Sequence, residues 1–237
     1  MTDLADEQHR LINCYAGVLL KPEQLSEYQR WALEFFHEPQ YVANPNLAIT
    51  LQLDITTAYA SYNNSICRKS FTAYLIWKLI QSLKQHPCFN YRRIGTQWYD
   101  FKNLPLFFPV ATGRAERFGE VLIENVRKMD WQTFSNIYRN EVNAIANTDT
   151  LYTATDTFTW SVADFIGNLP KLRFSALSLQ RPAEPNGRPI FYFGQRYLKD
   201  GVQQVALSIT FDHANTDPVL LNHLIDTYTQ QLAIAES

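Results

Sequence analysis

The residue types best suited to catalysis lie near the end of the sequence, in Phe211-Asp212-His213-Ala214-Asn215-Thr216-Asp217. Before this segment, positions 205, 207, 209 and 211 are apolar and alternate with small or polar residues, which indicates a half-buried strand. If the alternation continues, His213 lies on the apolar side just past the end of the strand. A partly desolvated imidazole is neutral near pH 7, the state that a general base needs. On spacing alone a core or rim histidine remains the default interpretation, because His-xxx-Asp is a weak pattern.

Asp217 has two competing interpretations. It precedes Pro218 and a segment, 218–232, whose apolar residues recur at helical spacing. Aspartate at the N-cap and proline at the first helical position are a favoured helix start. A capping role for Asp217 is therefore at least as well supported by the residues as a role in catalysis.

The rest of the chain predicts a mixture of helices and strands around this segment. Helical spacing is present at 26–37, 70–85, about 131–146 and 218–232. Strand patterns are present at 46–54, within 90–111, at 172–178, at 190–193 and at 205–211. Asp200-Gly201 marks a hairpin before the last strand.

The order of these elements decides the fold class. Without a regular βαβ alternation, we expect an α+β fold, with a mixed β-sheet flanked by helices. We divide the chain into a polar, irregular N-terminal segment, 1–25, and a single domain, 26–237.

The composition argues against several classes of protein. A formal net charge of −2 argues against a nucleic-acid-binding surface. The odd number of cysteines, without a CxxC pair, argues against a disulfide framework or a zinc site, and the other histidines show no ligand spacing. The acidic N-terminus and the lack of an apolar run of about 18 residues favour a cytoplasmic protein without a membrane segment.

Several motifs, in the right order, resemble those of the chloramphenicol acetyltransferase family. In that family a strand ends in His-His-Ala-x-x-Asp-Gly and leads into a C-terminal helix, as 212–218 do here. Leu51-Gln52-Leu53-Asp54-Ile55-Thr56 is similar to the family's early strand with its Asp-Ile-Thr. Pro170-Lys171-Leu172-Arg173-Phe174 resembles its Pro-Trp-x-x-Phe, and Pro189-Ile190 its Ala-Pro-Ile. The resemblance covers roughly residues 26–232.

The resemblance implies a two-layer sandwich that assembles into a homotrimer, with active sites at the subunit interfaces. Members of the family have no tightly bound cofactor and move an acetyl group from acetyl-CoA to a hydroxyl group of a small molecule. His213 matches the base that removes the hydroxyl proton. Asp217 matches a buried carboxylate that pairs with an arginine near the N-terminus, and Arg30 is the corresponding residue here.

The sequence departs from the family's pattern around the expected substrate. Asp212 replaces the first histidine of the pair, and Pro218 replaces the glycine. Ala176 stands where the family has a serine that helps to stabilise the tetrahedral intermediate, and losing such a donor typically costs about 100- to 1,000-fold in rate. The nearest hydroxyl groups that replace it are on Ser175 and Ser178, and Tyr192 matches a family threonine that contacts the intermediate through water. We interpret these changes as a changed acyl acceptor or a changed reaction.

Three functions remain open at this point. The first is an acetyl-CoA-dependent O-acetyltransferase, resembling chloramphenicol O-acetyltransferase, that acts on a small hydroxylated compound such as an antibiotic. The second is a biosynthetic acyltransferase or condensing enzyme that takes its acyl group from CoA or from a carrier-protein thioester. The third is a trimeric binding protein that keeps the fold but has no activity.

Overall fold

The computed structural model describes residues 4–112, 117–147, 157–179 and 184–236 of the chain. Its main feature is a six-stranded mixed sheet in the order β2-β9-β8-β7-β5-β6. These strands are β2 (Asn46–Asp54), β5 (Leu106–Ala111), β6 (Phe118–Ile123), β7 (Asp164–Asn168), β8 (Ile190–Lys199) and β9 (Val202–Asp212). Only the β5–β7 and β7–β8 pairs of this sheet are parallel. The predicted α+β class with a mixed sheet is confirmed.

One face of the large sheet is covered by helices and carries the hydrophobic core. The helices of this layer are α3 (Thr56–Asn64), α4 (Phe71–Leu83), α5 (Trp131–Asn147) and α7 (Pro218–Leu232). They pack on the alternate apolar residues of the strands, including Leu207, Ile209 and Phe211 of β9. Because α4 buries most of its circumference, its sequence is apolar nearly all round. Sheet and helices thus form the two layers that were predicted.

A smaller three-stranded sheet, in the order β1-β4-β3, lies beside the first. It consists of β1 (Gly17–Leu19), β3 (Tyr91–Ile94) and β4 (Gln97–Phe101). Helices α1 (Leu4–Cys14) and α6 (Thr157–Val162) contribute Leu11 and Val162 to a second hydrophobic cluster with Phe101. The described part of the N-terminal segment is thus regular structure, where its polar composition had indicated an irregular chain.

Helix α2 (Glu27–Phe35) begins where the sequence predicts. Ser26 caps it by accepting a hydrogen bond from the Gln29 backbone N–H at 3.1 Å, while the Gln29 side chain accepts from the Ser26 N–H at 2.9 Å. This reciprocal pair satisfies two N–H groups that have no partner within the helix. The helix ends close to His37, so its C-terminal end delivers Phe36 and His37 to the end of β9.

The strand predicted at 172–178 does not form a strand. The chain runs across the outer face of the sheet, and most of its hydrogen bonds go to side chains of the sheet instead of a neighbouring backbone. Thr50 Oγ1 accepts from the Leu177 N–H, Ser208 Oγ donates to the Leu177 carbonyl, and Gln52 Nε2 donates to the Phe174 carbonyl. The alternation in this segment therefore reflects a chain that covers a sheet face, not one that extends the sheet.

The described residues contain neither a helix suited to crossing a membrane nor a cluster suited to holding a metal ion. No helix in this part of the chain is both long and apolar enough to cross a membrane. Within the same ranges, no group of three or more His, Cys, Asp or Glu side chains is arranged to hold a metal ion.

Candidate active site

His213 lies in the turn that connects strand β9, the neighbour of edge strand β2, to helix α7, as the sequence predicts. Its backbone N–H donates to the Pro45 carbonyl at 2.9 Å. Its imidazole stacks on the Phe36 ring, with 4.3 Å between centroids and 16° between planes. Nδ1 is buried and has no hydrogen-bond partner among the described residues, whereas the side chain as a whole is half-buried. The ring is therefore held by packing and presents its other nitrogen, Nε2, outwards.

Asp212, the residue before His213, is at the centre of a buried hydrogen-bond network. His37 Nε2 donates to its Oδ2 at 2.8 Å, and both side chains are nearly inaccessible. The backbone N–H of Gly187 donates to Oδ2 at 3.1 Å, and that of Ala214 donates to Oδ1 at 2.9 Å. One carboxylate thereby joins α2, the loop before β8 and the His213 turn.

The expected ion pair between Asp217 and Arg30 is not formed. Asp217 Oδ1 accepts hydrogen bonds from the backbone N–H groups of Val219 and Leu220 at 2.7 and 2.9 Å, so Asp217 is the N-cap of α7. Arg30 Nη1 donates instead to the carbonyls of Pro22 and Leu25. The structure thus shows Asp217 as a helix cap. The Arg30 side chain holds the loop that precedes its own helix, α2.

The three candidate hydroxyl groups lie away from His213 within one chain. Tyr192 is on β8 opposite Ser208, which is five residues before His213 on β9, or roughly 16 Å along the strand. Tyr192 also belongs to the sheet face opposite the helices, as its ring contact with Phe165 shows. Ser175 and Ser178 are exposed on the segment that crosses this outer face. A single chain does not bring these groups to the imidazole.

A buried arginine cluster supports the loop that contacts Asp212. Asp164, at the start of β7, accepts from Arg92 Nη2 at 3.1 Å and from Arg127 Nη2 at 2.5 Å. Arg188 lies with its guanidinium 4.0 Å above the Trp160 ring and donates to the Trp160 carbonyl. Burial lowers the pKa of Arg92 to about 9 and that of Arg188 to about 10. All three guanidinium groups are thus held inside the protein.

Sequence reasoning missed His37, Arg92, Arg127, Asp164 and Arg188. His37 has no ligand spacing to any other residue, and its partner Asp212 is 175 positions away. The one available signal was Asp212 itself, because a carboxylate at the buried end of a strand needs buried donors.

The fold is shared with known acyltransferases, although no protein-family model and no curated protein matches the sequence. A solved chloramphenicol acetyltransferase superposes with a TM-score of 0.75 and 16% identity, over 91% of this chain and 99% of that chain. The chain has the chloramphenicol acetyltransferase-like fold. A probable dihydrolipoamide acetyltransferase from Listeria monocytogenes 4b F2365 gives a TM-score of 0.60 and 13% identity, over 91% of this chain and 93% of the other.

A third solved structure is similar in fold and equally distant in sequence. The truncated catalytic core of the 2-oxoacid dehydrogenase multienzyme complex from Thermoplasma acidophilum gives a TM-score of 0.58 and 15% identity, over 90% of this chain and 97% of that chain. Identities this low show a common fold, and one fold supports many activities. The activity of this chain must therefore be argued from its own residues.

Proposed function

We propose that this protein is an acyltransferase in which His213 is the general base. The observation that carries the proposal is the placement of His213 at the end of β9, with its ring stacked on Phe36 and Nε2 as the nitrogen that the protein leaves accessible. A general base needs a fixed ring with one accessible nitrogen within reach of the proton that it removes. The shared fold with two kinds of acetyltransferase supports the same activity.

The reaction moves an acyl group from a CoA thioester to a hydroxyl group of a small molecule. His213 Nε2 takes the hydroxyl proton while the oxygen attacks the thioester carbonyl carbon. The resulting tetrahedral intermediate collapses, the C–S bond breaks, and the imidazolium returns its proton to the departing thiolate. The protein's own groups perform each proton transfer, so the proposal needs no tightly bound cofactor.

The oxyanion of the intermediate needs hydrogen-bond donors. Burial raises the pKa of Tyr192, so its hydroxyl keeps its proton at neutral pH and remains a donor. Ser175 and Ser178 are exposed and also carry hydroxyl groups. We propose that these residues contact the intermediate or the acceptor, and that Asp217 supports the site by fixing the start of α7.

The proposal includes a homotrimer in which two subunits share each site. Within one chain His213 is at one end of β9, whereas Tyr192, Ser175 and Ser178 are further back on the opposite face of the sheet. A neighbouring copy that presents its outer sheet face to His213 brings the base and the donors together. The trimer is thus what makes one complete site from two half-sites.

The decisive experiment measures thiol release from acetyl-CoA with a panel of hydroxylated acceptors that includes chloramphenicol. We expect His213→Ala to lower the rate by about 100- to 10,000-fold, because general-base catalysis contributes that much. His223→Ala is the matched control, since His223 is an exposed histidine on α7. Mass measurement in solution gives the oligomeric state in the same samples.

The outcomes separate three functions. Turnover only with a carrier-protein thioester assigns the protein to a biosynthetic acyltransferase or condensing enzyme. If no thioester binds and His213→Ala changes nothing, the protein is a binding protein of the same fold and the proposal is wrong. Ala176 is the residue that favours this last alternative, because it offers no hydroxyl group to an intermediate.

A further inference from the structure

The buried arginine cluster carries more positive charge than the described residues neutralise. Arg92, Arg127 and Arg188 are at most 6% exposed, and the carboxylate in contact with this cluster is Asp164. Its two oxygens are already bound by Arg92 and Arg127. Arg188 has a backbone carbonyl and an aromatic ring as partners, neither of which carries a negative charge. Buried charges are normally paired, and no carboxylate of the described residues contacts Arg188, so its guanidinium is suited to binding an anion.

Arg188 faces a cavity that is large enough for a small organic ligand. The cavity has a volume of about 650 Å³, within the usual range for small-molecule sites. Arg93 also lines it, and within the described ranges no carboxylate or carbonyl pairs with the Arg93 guanidinium. Glu184 is the one acidic residue among the residues that line it, against two arginines, Arg93 and Arg188. The cavity is therefore cationic.

The rest of the lining is mainly apolar and aromatic. It includes Leu11, Phe36, Val42, Ile94, Phe158 and Trp160. Apolar walls around one cationic end suit a carboxylate on an apolar body, because such walls leave a strongly hydrated phosphate or a diphosphate without polar partners. A guanidinium stacked on an aromatic ring keeps its edge free for two parallel hydrogen bonds to a carboxylate.

Both arginines are held in place by one loop. The Arg93 backbone N–H donates to the Asn186 carbonyl at 2.9 Å, and the Arg188 backbone N–H donates to Asn186 Oδ1 at 3.3 Å. The next residue, Gly187, donates to Asp212. The cationic end of the cavity is thus connected to the turn that holds His213.

Two residues that line the cavity are in contact with His213. Phe36, which stacks on the imidazole, and Pro45, whose carbonyl accepts the His213 N–H, both line it. We infer that this cavity binds a small organic carboxylate with an apolar or aromatic body, held by Arg93 and Arg188 beside His213. That this carboxylate belongs to the acyl acceptor, making it a hydroxy acid, rests on the proposed function; the binding itself does not.

The test is titration calorimetry without any thioester. The probes are benzoate, phenylacetate and 4-(hydroxymethyl)benzoate, each compared with its neutral amide. We expect the acids to bind about ten-fold or more tightly than the amides, because hydrogen bonds to charged groups are stronger than neutral ones. Arg93→Gln and Arg188→Gln should each remove most of this difference.

Matched variants keep the result interpretable. Arg139→Gln removes an equal charge from an exposed position on α5, in the helical layer, and should leave acid binding unchanged. Arg93→Gln alters a side chain that holds no part of the fold, so it tests the site even if Arg188→Gln fails to fold. Equal binding of acids and amides, or no binding of any acid by the wild-type protein, overturns the inference.

A second measurement separates this inference from the proposed function. Acetyl transfer from acetyl-CoA is measured to 4-(hydroxymethyl)benzoate and to its amide. If the acid binds through both arginines but accepts no acetyl group, the carboxylate site stands and its role as an acceptor site is wrong. If neutral alcohols are acetylated while no acid binds, the acyltransferase stands and the carboxylate site is wrong.

Discussion

His37 and Asp212 form a buried pair in which Nε2 lies 2.8 Å from Oδ2. Their chain neighbours, Phe36 and His213, stack on each other at 4.3 Å. Two consecutive residues at the end of α2 thus contact two consecutive residues at the end of β9, one pair through a hydrogen bond and the other through ring packing. This double contact fixes the candidate base from two directions.

Removing the His37 imidazole should destabilise the protein. His37→Ala leaves the buried Asp212 carboxylate without a side-chain donor, which costs about 2 kcal/mol. For a chain of this size the melting temperature should fall by roughly 4–8 °C. Thermal unfolding measures this, with exposed His223→Ala as the control. A melting temperature equal to that of the wild type would mean that the pair does not form in solution.

Asp217 and Arg30 should contribute to stability independently. Asp217→Ala removes the N-cap of α7 and should lower the free energy of unfolding by about 1 kcal/mol. Asp217→Asn keeps a capping oxygen, so its effect should be smaller. In a double-mutant cycle with Arg30→Ala, the coupling energy should be within about 0.5 kcal/mol of zero. A larger coupling energy, measured by urea unfolding, would mean that Asp217 and Arg30 form the ion pair that the resemblance implied.

Asp164 should be among the most sensitive positions in the chain. Asp164→Asn leaves Arg92 and Arg127 buried without their counter-charge, and breaking a buried pair typically costs about 3–5 kcal/mol. We expect a large loss of stability in urea unfolding. Asp226→Asn, on the exposed side of α7, should change stability by less than about 0.5 kcal/mol. Similar effects of the two variants would contradict the burial of the cluster.

The cysteines should differ in reactivity at pH 8. Burial raises the pKa of Cys88 to about 11, so at pH 8 its thiol is almost entirely protonated, and the thiolate is the nucleophile. Cys14 is exposed. Alkylation followed by peptide mass spectrometry should label Cys14 first, and labelling of Cys88 should accelerate as the pH approaches 11. Cys88 labelled as fast as Cys14 at pH 8 would show that it is not buried.

Local sequence signals predicted the elements that hold His213. The alternation at 46–54 and the Asp-Pro start at 217–218 gave the bounds of β2 and of α7 as they occur in the structure. In both, the side-chain periodicity and the capping residues are encoded within a few positions. Short-range patterns therefore placed His213 at the end of a strand, whereas its role as a base came from the resemblance.

The contacts around His213 were not predictable in the same way. His37 and Asp212 are separated by 175 positions, and Arg92 and Asp164 by 72. Neither pair has a local pattern, because a hydrogen bond between distant segments depends on the fold and not on spacing. The segment at 172–178 was misinterpreted for a related reason: a chain that covers a sheet face alternates just as a strand does.

The position of β9 between β2 and β8 has a consequence for biosynthesis. Ile49 of β2 pairs with Ile209 of β9, which is 160 residues later. At a synthesis rate of about 5–20 residues per second, β2 waits roughly 8–32 seconds for its partner strand. Until then both of its edges are open, and an unpaired strand edge is prone to aggregation. The nascent protein therefore completes its sheet, and positions its candidate catalytic histidine, only after β9 has been synthesised.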